Sequence, residues 1–358
     1  MEGPGAMTDL LYFEAEGDLR AAVRSLLAGR ADPADLTGRV EDTGSRDPAL
    51  WKALAADMGT AGLLVPEKLG GQGASHREAA VVLEELGRAV TPVPYLTSCV
   101  VATETLLAVQ AGDLLGELAA GRKVAVLAVP LSAGPGHEPA ATGTVTGVAD
   151  ADRADVLLVV RPDGLYAVDA ADATITPQTP LDLTRPLATV TADDGGTRLA
   201  DSGAAREAVR RGLLAGAGLL ASEQLGLAEW CLEETVRHTR ERHQFNRPVG
   251  SFQALKHRMA QLWLEVVNAR AAARNAADAL ATGSTEAPLA VAVAQVYCSR
   301  VAVHAAEECV QLHGGIGMTW EHPAHLYLKR AKSSQIALGS VAHHKRTVAD
   351  LADLPAPA

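Results

Sequence analysis

The sequence predicts an α+β protein with a helical N-terminal domain, a small central antiparallel β domain and a C-terminal four-helix bundle. Three observations carry this expectation. Apolar residues recur at three and four through the first third, and short β-branched runs broken by Gly, Pro and Asp follow. Long helical patterns then return to the end of the chain. The changes of texture place the domains at 7–121, 122–202 and 203–356. A chain of 358 residues suits two or three packed units rather than one small core.

In the first part, LLYFEAEGDLRAAVRSLLAG and REAAVVLEELGRAV each put apolar residues on one helical face, and Ser75 is placed to cap the second. The opening MEGPGAM reads as an expression remnant ahead of a natural start at Met7. In the middle part, VAVLAVP, TGTVTGV, DVLLVV, GLYAVDA and LATVTA read as strands, with SAGPGHEPAATG a mobile loop between the first two. The last part reads as helices over 205–242, 253–282, 287–313 and 322–351. Gly212, Gly216, Gly218 and Gly226 fall inside the first of these, where each costs about 1 kcal/mol against Ala. Close helix packing, or a ligand passing near the backbone, would explain them.

Composition excludes several functions. Hydrophobic residues make up 48% and aromatics only 3%, so Ala, Leu and Val must fill the core. A net charge of −11 offers no general attraction for nucleic acid or an anionic membrane. Cys99, Cys231, Cys298 and Cys309 lack CxxC spacing and read as buried thiols in a reducing cytoplasm. No apolar run approaches a membrane span, and no signal-peptide pattern opens the chain. The Glu-x-x-His spacing of bundle-type di-iron sites is absent, so no metal is expected. His343, His344, Lys345 and Arg346 read as a solvated helix face, and Trp320 and His322 as core or as the lining of an entrance.

Two patches in the last part carry chemistry. RERHQFNRPVGSFQALKHRMA leads through an Asn-Arg-Pro turn to a new helix near Phe252, with Ser251 as its expected cap. A helix start beside Arg242 and Arg247 suits phosphate. QLHGGIGMTWEHPAHLYLKRA ends a helix in His-Gly-Gly, whose glycines allow positive φ and close approach of another molecule. Each patch alone matches an ordinary turn.

Together, and in α–β–α order, the patches resemble the acyl-CoA dehydrogenase family of flavoproteins. WKALAADMGTAGLLVPEKLGGQG is similar to that family's N-terminal signature. RHQFNRPVGSFQ is similar to its Arg-x-x-Phe-Gly motif with the spaced Gln, here with Asn246 in place of Gly. QLHGGIGMT is similar to its Gln-x-x-Gly-Gly-x-Gly motif. The resemblance implies a tetramer with FAD at a subunit interface, an acyl-CoA substrate and electron-transfer flavoprotein as acceptor. It implies cofactor contacts across the interface from Arg242, Phe245, Gln253, Gln311, Gly314 and Gly315.

The same resemblance exposes a gap. α,β-Dehydrogenation of an acyl thioester needs a carboxylate at the α-carbon, and the family's usual position for it matches Leu338 here. The family's second position falls near Gly216 and Ala217, and Glu223 is the one carboxylate nearby. The family's Thr-Glu loop and Trp-Ile-Thr strand on the flavin side are also missing. The expectation is therefore a subunit that lacks its own catalytic Glu and completes the FAD site of a homologous, Glu-bearing partner in an α2β2 assembly. Heteromeric members of this kind are associated with actinobacterial steroid side-chain breakdown, which TWEHPAHLYLKRAK resembles. A self-sufficient homotetramer with a relocated base, and a structural or regulatory homologue without FAD, are the alternatives.

Overall fold

The computed structural model describes residues 10–42, 47–138, 143–192 and 194–355, with only the backbone at 41 and 42. The expected start at Met7, part of the expected loop at 139–142 and the expected domain end at 356 lie outside these residues. The first part is helical: α1 (Glu14–Arg30), α2 (Pro33–Asp42), α3 (Pro48–Lys52), α4 (His76–Arg88), α5 (Thr103–Ala108) and α6 (Gly112–Ala119), with a wide π-type stretch at Tyr95–Ala102 leading into α5. Ser75 caps α4 as its sequence position suggests. Its hydroxyl accepts the Arg77 N–H at 3.1 Å, and the Glu78 carboxylate accepts the Ser75 N–H at 2.9 Å.

The middle part holds β1 (Ala125–Leu127), β2 (Thr144–Ala149), β3 (Val156–Arg161), β4 (Gly164–Asp169), β5 (Thr174–Gln178), β6 (Leu187–Thr191) and β7 (Thr197–Asp201). They form two sheets, ordered β1-β3-β4-β7 and β2-β6-β5. Five strands match the expected runs. β5 and β7, TITPQ and TRLAD, are sheet edges facing solvent, so no apolar alternation marks them in the sequence. Pairing is antiparallel except between β1 and β3, which run parallel. Val126, Val148, Leu157, Val168 and Val190 pack as a small core of their own.

The last part contains α7 (Ser202–Glu241), a short hairpin of β8 (His243–Gln244) and β9 (Arg247–Pro248), α8 (Gln253–Ala281) and α9 (Ala287–His313). The expected fourth helix is two, α10 (Ala324–Ile336) and α11 (Val341–Leu351). The break is local chemistry: Leu338 and Gly339 sit at φ +52° and +104°, and the Ser340 side chain accepts the His343 N–H to start α11. Ser251 does not cap α8. It falls in a tight turn one residue early, and its hydroxyl finds no partner among the described residues. Against the expectation that no apolar run approaches a membrane span, the segment Ala287–Met318 is long and apolar enough to cross one, although 67% of its most apolar window is buried within the protein. All four cysteines are buried and free.

The glycines of α7 resolve into packing. A Cβ at Gly226 would lie 1.8 Å from the Glu84 carbonyl oxygen, and one at Gly87 of α4 would lie 2.0 Å from that of Glu223. The two helices meet backbone to backbone, each through a glycine. At Gly212 a Cβ would lie 2.6 Å from the Val101 carbonyl oxygen, and at Gly218 one would lie 2.5 Å from Leu280.

A buried ion cluster ties the middle part to the helices. Arg330 of α10 reaches Asp182 at 2.6 Å and Glu223 of α7 at 3.0 Å, and it donates to the Thr184 hydroxyl at 2.6 Å. Arg185 meets the same Glu223 carboxylate at 2.6 Å. Gly226→Ala is expected to destabilise the fold by about 1–3 kcal/mol, the cost of forcing a methyl into a filled helix contact, read as a lower urea midpoint at unchanged slope. Gly17→Ala, in α1 with open space at its Cβ position, should instead be neutral or stabilising by up to about 1 kcal/mol.

Candidate functional site

The expected cofactor residues gather at one end of the bundle. α7 delivers Arg242 at its C-terminus, and the chain reverses through Phe245 and Asn246 at φ +53° and +58°. Both central residues of this two-residue hairpin are left-handed, the primed-turn geometry that Asn or Gly favours, and so Asn246 substitutes for Gly without loss of the turn. Phe245 stands at the tip, 86% exposed, with its ring edge-on to Phe252 at 6.1 Å. The Arg247 guanidinium lies 3.8 Å over the Phe252 ring. Gln253 opens α8 with its side chain exposed, the amide nitrogen 3.5 Å from His257 Nε2.

α9 runs antiparallel to α8 and brings Gln311 to the same end. The ion pair of Arg258 and Glu308 at 2.6 Å and the contact of the His238 and His313 rings at 4.1 Å tie the ends of α7, α8 and α9 together. Gln311, Gly314 and Gly315 are exposed, Gly314 has φ +65°, and nothing lies within 4 Å of where either glycine would carry a Cβ. An exposed guanidinium, two amides, a helix start and an open glycine pair fit an elongated ligand bearing phosphates and a planar base. That donor set suits the adenine and pyrophosphate half of FAD.

Beneath this surface lies a cluster that sequence reasoning missed. The Glu234 carboxylate of α7 faces His322 Nε2 at 3.2 Å and His313 Nε2 at 3.6 Å, and it is gripped by Arg237. These residues come from three separate segments, so no spacing rule finds them. They could present three ligand atoms to a metal ion, but the hydrogen bonding runs against it. His322 Nδ1 accepts the Ala324 N–H at 3.2 Å, which leaves the proton on Nε2, aimed at Glu234. Trp320 is neither core nor deeply placed: it is 42% exposed, edge-on to His325 and under Lys329.

The position of Leu338, where the resemblance leads one to expect a base, is closed. Leu338 is 5% exposed, and its N–H donates to the Leu131 carbonyl at 2.7 Å. A Cβ on Gly216 would lie 3.1 Å from Leu338 Cδ1 and 2.5 Å from Val101 Cγ2. Gly216 and Leu338 are thus neighbours in space, and hydrocarbon fills the gap between them. Ala217 is buried beside them. The loop after β1 lies over this seat, with Gly134 packed against the backbone of Gly339 and the ring of His343. His344 is not part of a solvated face. It is buried and its Nε2 donates to the Leu338 carbonyl at 3.0 Å. Burial pushes its pKa down to about 4, so the ring stays neutral.

Glu223 has a different task from a base. Burial favours its protonated form, but Arg185 and Arg330 outweigh that and hold its pKa below the usual carboxylate range. Its stabilising contribution is therefore full above about pH 4.5, the ordinary carboxylate value, and is lost as pH falls through the depressed folded value. Glu223→Gln is expected to destabilise the fold by about 3–5 kcal/mol, since it leaves two buried guanidiniums short of their counter-charge; denaturant unfolding measures it. Leu338→Glu is expected to show no acyl-CoA oxidation in a dye-coupled assay. It should also lower stability by about 2 kcal/mol or more, the cost of an unpaired carboxyl in an apolar seat.

Family models match most of the chain: the acyl-CoA dehydrogenase N-terminal domain over 14–112 and the C-terminal domain over 206–352. Acyl-CoA dehydrogenase IpdE2 of Mycolicibacterium smegmatis is 38% identical over 325 residues, covering 90% of this chain and 93% of that protein. A chain of the ChsE4-ChsE5 complex from Mycobacterium tuberculosis superposes with a TM-score of 0.86 at 27% identity, covering 98% of this chain and 100% of its own. A Tcur3481-Tcur3483 steroid ACAD variant superposes at 0.83 with 28% identity, covering 95% and 98%.

Proposed function

The chain belongs to the acyl-CoA dehydrogenase family, oxidoreductases acting on CH–CH bonds, and we propose that it is a non-catalytic subunit of a heteromeric member. The observation that carries this reading is an asymmetry between two halves of one site. Leu338 and Gly216 leave no ionisable group at either base position and no room between them. Arg242, Phe245, Gln253 and Gln311 stand exposed at the far end of the bundle, free to meet another chain.

In this reading the three domains divide at 7–121, 122–202 and 203–356, and the enzyme is an α2β2 assembly in the cytoplasm. Arg242 would offer its guanidinium to the phosphates, and the Gln253 and Gln311 amides would offer hydrogen bonds, of a cofactor held mainly by the partner. Gly314 and Gly315 admit its approach, and Phe245 covers an apolar face. FAD, when bound, supplies the hydride acceptor for oxidation of the acyl chain, and electron-transfer flavoprotein takes the electrons onward. The partner supplies the carboxylate that removes the α-proton. A complex with two named components and a steroid-acting relative among the similar structures support a heteromer that takes a steroid side-chain acyl-CoA. A relocated base in this chain is disfavoured, because Glu223 is bound by two arginines.

Co-expression with the Glu-bearing homologue tests the reading. Arg242→Ala and Gln311→Ala should each leave assembly intact and lower the FAD affinity of the complex about tenfold or more, the worth of one charge-assisted hydrogen bond. Unchanged flavin binding in both variants would refute it and favour a structural homologue.

A further inference from the structure

The loop from Gly314 to Glu321 carries two adjacent glycines, and its first residues form only a short 3₁₀ turn. It exposes Ile316, Met318 and Trp320, and inside it the Ile316 carbonyl accepts the Thr319 N–H at 3.1 Å and the Thr319 hydroxyl at 2.9 Å. Its two ends converge on one carboxylate. His313, the residue before it, and His322, the residue after it, both aim Nε2 at Glu234 Oε1, at 3.6 and 3.2 Å.

We propose that Glu234 is a positioning residue, a latch that clamps both ends of this loop to α7 and so presets Gly314 and Gly315 for the partner-bound flavin. The role rests on the reading above. The surroundings favour the latch. His313 Nδ1–H donates to the Cys309 carbonyl at 2.6 Å, which turns Nε2 toward Glu234 at 3.6 Å, an ion-pair distance; among the described residues this Nε2 makes no hydrogen bond. His322 Nδ1 accepts the Ala324 N–H, so its Nε2–H donates to the carboxylate. Arg237 holds Glu234 from its own helix and reaches on to Glu241 at 2.6 Å. His238 stacks on His313 from the same helix, and burial holds its pKa down. The Cys309 sulfur lies 3.7 Å from His313 Nδ1.

The charge state follows from these neighbours. Burial works against the His313 imidazolium, but Cys309 and Glu234 outweigh it and raise the pKa to about 9. A raised histidine gives its full contribution below its ordinary value and loses it as pH rises through about 9. Glu234 itself is held well below the carboxylate range. The latch is closed at neutral pH and opens in alkali.

Glu234→Gln keeps the shape and removes the charge. In the chain alone, amide hydrogen exchange over 314–322 should rise about tenfold, as expected for loss of one charge-assisted hydrogen bond, with the other helices unchanged. In the complex, FAD affinity should fall by a similar factor. The alkaline loss of affinity, centred near pH 9 in the wild type, should disappear in this variant, because no carboxylate remains for the His313 imidazolium to hold. His322→Phe keeps a ring, removes the donor, and should repeat the loosening if Glu234→Gln fails to fold. Unchanged exchange and an unmoved pH profile overturn the latch. If Gln311→Ala weakens FAD while Glu234→Gln does neither, the latch fails and the heteromeric reading stands. If exchange rises but neither variant touches FAD, the heteromeric reading fails and the latch has no role in it.

Discussion

The structure hangs on the approach of α7 to α4. Gly226 and Gly87 let the two backbones touch, and no residue with a Cβ fits at either position. That contact fixes the axis of a 40-residue helix on which the rest is mounted. One face of α7 carries Glu223 into the arginine cluster that holds the central loop at 182–185. Another presents Gly216 to Leu338, and the last turns bring Glu234 and Arg242 to the open end of the bundle. A shift of α7 would move every one of these groups together.

Along that single helix the chemistry changes character. At Gly216 the packing is apolar and filled: Val101 and Leu338 crowd the place a side chain there would take. A base buried there would carry a raised pKa and no path to a substrate. Toward Arg242 the groups are polar, exposed and unpaired with one another. An enzyme that kept its own site would need both ends in working order. Here the end at Gly216 is filled by side chains and the end at Arg242 is exposed.

The broad fold was legible because its signals are strong. The α7 and α9 patterns are long, the Ser75–Glu78 capping box is written in adjacent letters, and five strands are β-branched runs between turn residues. The misses have local causes. β5 and β7 are polar edges with no apolar stripe. The helix expected over 322–351 kept its period across Ala337–Ser340 although Gly339 and Ser340 signal a stop. His344 looked solvated because a run of basic residues hides the one that turns inward. Arg242, Gln253 and Gln311 were readable as motif letters, whereas the Glu234, His313 and His322 cluster was not. Its members lie on three segments and only the fold brings them within reach. The choice between the two readings of Glu223, base or ion pair, also needed the fold, since Arg185 and Arg330 lie 38 and 107 residues away in sequence.

The central claim is that this chain has a closed site and completes its partner's. It is tested most directly by counting flavin in the purified complex, against protein measured by amino-acid analysis. The account predicts one FAD for each pair of unlike chains, and none retained by this chain expressed alone. One FAD per chain, or a yellow isolated chain bleached by an acyl-CoA, would contradict it.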